Sequence, residues 1–173
     1  MKRIVAAALV SLSLMAAPAA FGADGAKLGY IDMQKALNLS DAGKEAKEQL
    51  AAKVKKYQDE INSRQEELKK LKDDLEKQSV LLSESARSAK EKDYQQKLKE
   101  FQRFTKDAQD ELQAKDEEFT KKIIEELERV IQDFGRKNGY TFIFVRNEGM
   151  IFADDKADVT DEVLKNFNAS RKK

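Results

Sequence analysis

The stretch LAAKVKKYQDEINSRQEELKKLKDDLEKQ, residues 50–78, decides the fold of this chain. Its apolar residues recur at alternating steps of three and four, which is the spacing of a coiled-coil seam. Only Arg64 and Gln78 interrupt the pattern. When Val54 is placed at an a position, the a positions are Val54, Ile61, Leu68, Leu75 and Leu82, and the d positions include Leu50, Tyr57 and Leu71.

This stretch belongs to a longer segment that lacks helix breakers. The 91 residues between Gly43 and Gly135 contain neither Gly nor Pro and are rich in good helix formers. A second seam occupies the latter half of the segment and shifts phase after Phe119, a stutter that locally unwinds a supercoil. The second seam consists of Tyr94, Leu98, Phe101, Ala108, Leu112, Phe119, Ile123, Leu127, Val130 and Phe134.

Two arrangements could pair these seams. In one, the run Ser83-Glu84-Ser85-Ala86 ends one helix and caps the next, giving an antiparallel hairpin with helices of about 42 and 54 residues. In the other, one continuous helix of about 95 residues pairs in a parallel dimer. The seam break and the serine cluster favour the hairpin. We therefore expect an arm at residues 41–135, about 60 Å long or more, with its turn near residues 83–88.

Short apolar elements flank the predicted arm. KLGYIDM, residues 27–33, has the character of a strand. Lys137-Asn138-Gly139 is typical of a helix end, and YTFIFV, a turn at residues 146–149, and MIFA at residues 150–153 then predict a β-hairpin. A last short helix, DEVLKNFN, is expected to begin at a cap formed by Thr160 or Asp158.

The predicted strand YTFIFV is apolar on both faces, so both faces should be covered. The flanking parts, residues 23–40 and 136–173, form a discontinuous β-rich body too small to be stable alone without disulfides or metal. We therefore predict that the body self-associates. The fold class is mainly α, a long coiled-coil hairpin projecting from this body. The residues expected in the assembly are Leu28, Tyr30, Ile31, Phe142, Ile143, Phe144, Val145, Ile151 and Phe152.

The start of the chain predicts export. Residues 1–22 have a basic beginning at Lys2 and Arg3, an apolar run, and small residues Ala20 and Gly22 before Ala23. This is the layout of a secretory signal peptide, and we expect cleavage and a periplasmic destination. An uncleaved anchor is the alternative. A lipoprotein signal is excluded because the chain has no Cys.

Composition excludes several classes of function. The chain has no Cys and no His, hence neither a thiolate nor an imidazole for a metal site. The carboxylate pairs Asp73-Asp74 and Asp154-Asp155 lack a nucleophile with its base, so we predict no catalytic residues, cofactor or metal. Without Lys2 and Arg3, 31 basic residues remain against 32 acidic ones, a balance that argues against a nucleic-acid partner.

The charge is nevertheless polarised along the chain. Residues 69–106 contain 11 basic and 7 acidic residues, whereas residues 107–133 contain 4 basic and 10 acidic ones. The outer half of the predicted arm is therefore basic and the inner half acidic.

The order of elements resembles the Skp (OmpH) family of periplasmic chaperones. The residues that carry the resemblance are KLGYIDMQKAL at 27–37, GYTFIFV at 139–145 and ADVTDEVLKNFN at 157–168. The resemblance implies a homotrimer whose helical arms enclose a cavity. It also implies an ATP-independent holdase that keeps unfolded outer-membrane β-barrel proteins soluble. Family members are clearly basic, so the near-neutral mature chain implies only weak contact with lipopolysaccharide or membrane surfaces.

Candidate binding residues follow from the arm sequence. Val80, Leu81 and Phe104 are candidates for client contact, with packing inside the hairpin as the alternative. A basic row is a candidate for electrostatic contact, with an ordinary solvated helix face as the alternative. It consists of Lys90, Lys92, Lys97, Lys99, Arg103 and Lys106. Rival functions are a structural adaptor of an envelope assembly and a prefoldin-like holdase, against which the signal peptide argues.

Overall fold

The computed structural model describes residues 25–78 and 82–171, so the predicted signal peptide lies outside the described residues. The elements are β1 (Leu28–Ile31), α1 (Met33–Leu39), α2 (Asp41–Gln78), α3 (Glu84–Lys137), β2 (Phe142–Val145) and α4 (Thr160–Ser170). A short 3-10 helix, Asp155–Ala157, precedes α4. The sequence-based expectation of a mainly helical chain with a small sheet is confirmed.

The arm is an antiparallel hairpin of α2 and α3, as predicted. α2 has 38 residues and α3 has 54, which correspond to lengths of about 57 and 81 Å. Ser83 begins α3 as its N-cap, where its hydroxyl accepts a hydrogen bond from the backbone N–H of Ala86 at 3.3 Å. α3 ends at Lys137, and Gly139 follows with a φ of +69°, which terminates the helix as its sequence indicates.

The core of the body lies where α1, α4 and the roots of α2 and α3 converge. Ile31 from β1 packs there against Leu127 of α3 and against Val163 and Phe167 of α4, and all four side chains are buried. Ala36, Ala42, Ile123 and Val159 complete this cluster. The coiled-coil seam of α3 therefore runs directly into the core of the body through Ile123 and Leu127.

The sheet has two parallel strands whose connection is the whole arm. Leu28 pairs with Phe142 and Ile31 with Val145 at the two ends of the register. The other edge of β1 is partly covered by the chain before α4, because the N–H of Val159 donates to the carbonyl of Tyr30 at 2.9 Å. β1 is thus the central strand of the body and β2 its edge strand.

The predicted β-hairpin is wrong, because MIFA at residues 150–153 is not a strand. The turn before it does form, with the N–H of Met150 donating to the carbonyl of Asn147 at 3.0 Å. The chain then does not fold back along β2. It runs on to place the 3-10 helix and Asp158 beside β1, where the backbone of β1 offers a partner.

α4 is tied to the start of the chain and to the arm. Its first N–H, that of Thr160, donates to the carboxylate of Asp158 at 2.8 Å, while the Thr160 hydroxyl accepts from the N–H of Asp32 at 2.9 Å. At the other end, Arg171 binds Glu126 of α3 at 2.6 Å and Glu45 of α2 at 3.3 Å. These contacts hold both arm helices against α4.

The corner between α1 and α2 requires a glycine. The Ser40 hydroxyl accepts from the N–H of Gly43 and donates to the carbonyl of Leu37, each at 2.9 Å, which closes the corner tightly. A Cβ at residue 43 would lie 1.9 Å from the Leu37 carbonyl oxygen. No side chain fits there without moving the backbone of α1.

We expect Gly43→Ala to destabilise the protein by about 3 kcal/mol, because the backbone of α1 must shift away from α2. Urea denaturation followed by circular dichroism, at one fixed protein concentration, measures the loss. Gly25→Ala is the matched control, since nothing lies within 4 Å of a Cβ at that position. Equal stability of the two variants would contradict the close approach at Gly43.

Candidate functional site

The two arm helices are joined near mid-length by a cluster of polar and aromatic side chains. We call it the mid-arm cluster, and it consists of Lys53, Tyr57, Arg64, Phe104 and Glu111. The Glu111 carboxylate accepts hydrogen bonds from Lys53 Nζ and from the Tyr57 hydroxyl, both at 2.5 Å. The Phe104 ring meets the Tyr57 ring edge-on at 5.9 Å, and the Arg64 guanidinium lies 4.3 Å from the Phe104 centroid.

Electrostatics in the mid-arm cluster favour a charged carboxylate. The hydrogen bond from Lys53, followed by that from Tyr57, holds the pKa of Glu111 below its usual value of 4.5. The same bond to Glu111, aided by partial burial, raises the pKa of Tyr57 above 10.0. Because Lys53 and Glu111 remain 40 and 46% exposed, their ion pair is a modest contribution to stability.

Further polar pairs cross the hairpin toward its outer end. Lys97 of α3 binds Glu67 of α2 at 2.9 Å, and Lys90 of α3 donates to the amide oxygen of Gln78 at 2.7 Å. The bond to Glu67 raises the pKa of Lys97. Arg64 and Gln78, the two residues that interrupt the seam of α2, therefore both contact α3.

An open groove of about 1140 Å³ lies between α2 and α3 in the outer half of the arm. Leu75 and Tyr94 give it apolar walls, and the surrounding side chains carry more positive than negative charge. A groove of this kind is suited to an extended polar segment rather than to an enclosed small molecule. Its charged residues are Lys72, Glu76, Arg87, Glu91, Lys92 and Lys99.

In the structure, the six predicted basic contact residues fall into three groups of two, which differ in their surroundings. Lys90 and Lys97 bind across the hairpin to α2, as described above. Arg103 and Lys106 lie on the exposed surface of α3 and pair within the helix with Asp107 at 3.5 Å and Asp110 at 2.5 Å. Lys92 and Lys99 line the groove and form no salt bridge with any other described residue.

Two of the three predicted client-contact residues, Val80 and Leu81, lie outside the described residues. The third, Phe104, is half-buried against Tyr57 and Arg64 in the mid-arm cluster. This position matches the alternative of packing within the hairpin. A substitution at Phe104 would therefore loosen the arm as well as remove any contact with a client.

The predicted assembly residues divide between the core and the surface. Tyr30 and Ile31 are buried within the single chain and Ile143 is half-buried. The others are exposed, and Ile151 at 98% and Phe152 at 86% are nearly free of contact. The exposed group also contains Leu28, Phe142, Phe144 and Val145. These six side chains place large apolar groups on the surface of the body.

Glu111, like Lys53, is a residue of the mid-arm cluster that sequence reasoning missed. It lies one helical turn from the seam residue Ala108, and heptad patterning treats a charge there as solvated. The available signal was Tyr57, since a tyrosine at a seam position needs a partner for its hydroxyl.

The described residues hold no group of three or more acidic, His or Cys side chains able to bind a metal ion. None of the helices within residues 25–78 and 82–171 is long and apolar enough to span a membrane.

Comparison with known proteins shows the family. The model of the family described as outer membrane protein (OmpH-like) matches residues 27–167. This range includes β1, the whole arm, β2 and most of α4. The chain belongs to the OmpH-like family. No curated protein matches it significantly.

A solved structure has the same fold. The crystal structure of an OmpH-like candidate outer membrane chaperone from Caulobacter crescentus superposes with a TM-score of 0.79 and 19% sequence identity. The match covers 86% of this chain and 88% of the other. At this identity the likeness establishes the arrangement of body and arm.

We expect Glu111→Gln to weaken the arm at neutral pH, because the charge that Lys53 and Tyr57 bind is lost. The pKa of Glu111 is lowered in the folded chain, so its contribution is present above the unfolded value and disappears as the pH falls through the folded value. Urea denaturation at several pH values should therefore show a deficit near pH 7 that vanishes in acid.

Glu117→Gln is the matched control, since Glu117 is exposed and accepts only from Gln113. A deficit of equal size at every pH would contradict the role of the Glu111 charge.

Proposed function

We propose that this protein is an ATP-independent holdase that binds unfolded outer-membrane β-barrel proteins between its helical arms. The observation that carries the proposal is the arm itself, a two-helix projection rooted in a small body, in a chain of the OmpH-like family. The described residues form no metal site, and the sequence offers no nucleophile–base pair. A binding role accounts for the arm.

The character of the arm surface supports weak, reversible capture. Along the described part of α2 and α3, the seam residue Val54 is the exposed large apolar side chain, and the other seam residues are at least half-buried. An unfolded β-barrel protein exposes backbone groups and alternate apolar residues that drive aggregation. Polar walls would isolate such a chain without binding it tightly, because the described part of α2 and α3 presents no continuous apolar surface to compete with folding of the client.

The place of action that we propose is the periplasm. Residues 1–22 have the layout of a signal peptide, and membership of the OmpH-like family supports an envelope location. Unfolded outer-membrane proteins cross that compartment after export, so a holdase there would meet its clients.

We also propose that the body assembles from several copies, as a trimer in the form that the family resemblance implies. β2 is an edge strand, and Phe142, Phe144 and Val145 on it are 50–56% exposed. An exposed apolar edge strand is a template for pairing with another chain. The neighbouring apolar residues Ile151 and Phe152 are more exposed still. Copies that cover this surface would bring their arms together around a shared space.

Basic groups at the outer end of the arm would add a weak electrostatic contact. Lys92 and Lys99 lie at the groove without salt bridges to other described residues, so they are available for acidic client segments or for lipopolysaccharide.

The first test is aggregation of a client. A urea-denatured outer-membrane β-barrel protein is diluted into buffer with the purified protein, without ATP, and light scattering is followed. We expect scattering to be suppressed near one assembly per client. Bovine serum albumin at equal mass serves as the control for nonspecific protection. Scattering that is unaffected by a protein shown to be folded would favour the rival function, a structural adaptor of an envelope assembly.

Self-association is tested at Ile151. Because this side chain is 98% exposed, Ile151→Glu leaves the packing of the single chain unchanged but places a charge in the proposed contact. We expect the dissociation constant to rise at least about tenfold, since burial of an isoleucine contributes about 1.5–3 kcal/mol. Sedimentation velocity measures the mass.

Lys156→Glu, in the same exposed segment, is the control. An unchanged mass for Ile151→Glu, or an equal loss with Lys156→Glu, would rule out the apolar surface as the contact.

A further inference from the structure

We propose that the groove between α2 and α3 in the outer half of the arm binds an extended acidic segment of the client through Tyr94, Lys92 and Lys99. This inference rests on the proposed function, because it takes the occupant of the groove to be part of an unfolded client. It adds the chemistry of the bound segment, which is carboxylates beside apolar side chains. One carboxylate would serve Tyr94 as Glu111 serves Tyr57 in the mid-arm cluster.

Each arm helix carries the sequence Lys-x-Lys-x-Tyr once. The first copy is KVKKY at residues 53–57 of α2, and the second is KEKDY at residues 90–94 of α3. The tyrosine of each copy is a seam residue. Because residues four apart lie on the same side of a helix, both copies place the first lysine next to the tyrosine.

The two copies differ in the acceptor that the opposite helix offers. The lysine and the tyrosine of the first copy both donate to the carboxylate of Glu111. In the second copy, Lys90 donates to the neutral amide of Gln78 at 2.7 Å. The Tyr94 hydroxyl forms no hydrogen bond with another described residue, although this side chain is half-buried. A tyrosine in such a position normally has a partner for its hydroxyl, and an acidic ligand would supply one.

Two lysines are in excess among the charged residues that line the groove. The glutamates of the lining already have partners within their own helices, since Arg87 binds Glu91 at 2.9 Å and Lys72 lies 3.9 Å from Glu76. The other two cations of the lining are Lys92 and Lys99. Neither forms a salt bridge or a hydrogen bond with another described residue, so both are available to a carboxylate.

Four acidic residues lie next to lining residues in the sequence but do not line the groove themselves. They are Asp73, Asp74, Asp93 and Glu100. The hydrogen bond to Glu67 raises the pKa of Lys97, and Glu100 and Asp93 raise it further. Glu100 also accepts a hydrogen bond from Gln96 at 3.0 Å. These carboxylates weaken the attraction of a distant anion but leave the donors inside the groove open.

The dimensions of the groove suit an extended chain. The polar pairs that Lys90 and Lys97 form across the hairpin leave it open, because neither lysine nor its partner on α2 lines it. On α3 the lining runs from Ser88 to Lys99, a rise of about 17 Å that matches about five extended residues. Lys92 lies about 10 Å from Lys99 along the helix, which corresponds to about three extended residues.

The lining favours a peptide over a dense polyanion. Leu75 and the Tyr94 ring provide apolar surface, so apolar side chains between the carboxylates of the segment would be partly covered. Because Glu76 and Glu91 also line the groove, closely spaced phosphates such as those of lipopolysaccharide would be repelled as well as attracted. A peptide whose carboxylates are well separated avoids this repulsion.

The test is binding of a synthetic peptide, followed by fluorescence anisotropy of a neutral dye on the peptide. The probe is capped at both ends and contains Asp-Val-Val-Asp as its only charged stretch, and its control has Asn in place of both Asp residues. We expect the Asp peptide to have a Kd at least about fivefold lower than the Asn peptide at low salt. The difference should disappear at about 1 M salt, where the Debye length is about 3 Å.

Variants of the groove should weaken binding of the Asp peptide. Lys92→Glu and Lys99→Glu should each raise its Kd at least about fivefold, and Tyr94→Phe should raise it at least about twofold with unchanged helix content by circular dichroism. Lys55→Glu is the matched control, since Lys55 holds the position of Lys92 in the first Lys-x-Lys-x-Tyr copy, is exposed and lies outside the groove. It should leave the Kd unchanged.

Equal Kd values for the two peptides, an equal effect of Lys55→Glu, or unchanged binding by Lys92→Glu and Tyr94→Phe would overturn the proposal. So would binding of lipopolysaccharide vesicles that Lys92→Glu abolishes, if the peptide does not bind. The scattering assay separates this inference from the proposed function. A protein that suppresses aggregation but does not bind the peptide rejects the groove and keeps the holdase, whereas the opposite pair of results supports the groove as a peptide site and rejects the holdase.

Discussion

The parallel pairing of β1 with β2 is the constraint on which the rest of the structure depends. The two strands are separated in sequence by the entire arm, so their hydrogen bonds bring the two ends of the arm together. The core beneath them then joins Ile31, Leu127 and Phe167 from three distant parts of the chain. Because the roots of α2 and α3 are fixed in this way, the arm projects from a defined base rather than from a flexible connection.

The arm beyond that base is held differently. Its seam is only half-buried, and Ala108 is the buried apolar residue at mid-length. Direction and register there depend on polar pairs such as Glu111 with Lys53 and Tyr57, or Lys97 with Glu67. Such pairs are directional but weak when exposed to water. The molecule therefore combines a well-packed base with an arm whose outer half is held by exposed polar pairs. Water and salt weaken such pairs.

The sequence predicted more of the arm than of the body, for a physical reason. Heptad spacing and the Ser83 cap are local signals, and they predicted the two helices and the hairpin, although residues 84–88, which were placed in the turn, lie in α3. Strand partners are not local. The segment YTFIFV was correctly predicted as a strand. The turn at residues 146–149, however, suggested a hairpin with residues 150–153, and nothing in the sequence indicated that this strand pairs with β1 instead. Glu111 was missed because its partner on α2 is set by the register of the hairpin, which the pattern of α3 alone does not contain.

The position of α4 has a consequence for the order of folding. The helices of the arm need only neighbouring turns, so they can form while the chain is incomplete. The body needs β1 from the beginning of the described chain and Val163, Phe167 and Arg171 from its end. A chain that stopped after α3 would keep its helices but expose Ile31 and Leu127. α4 therefore sets a late condition for folding, since the base on which the arm stands can close only once α4 has been synthesised.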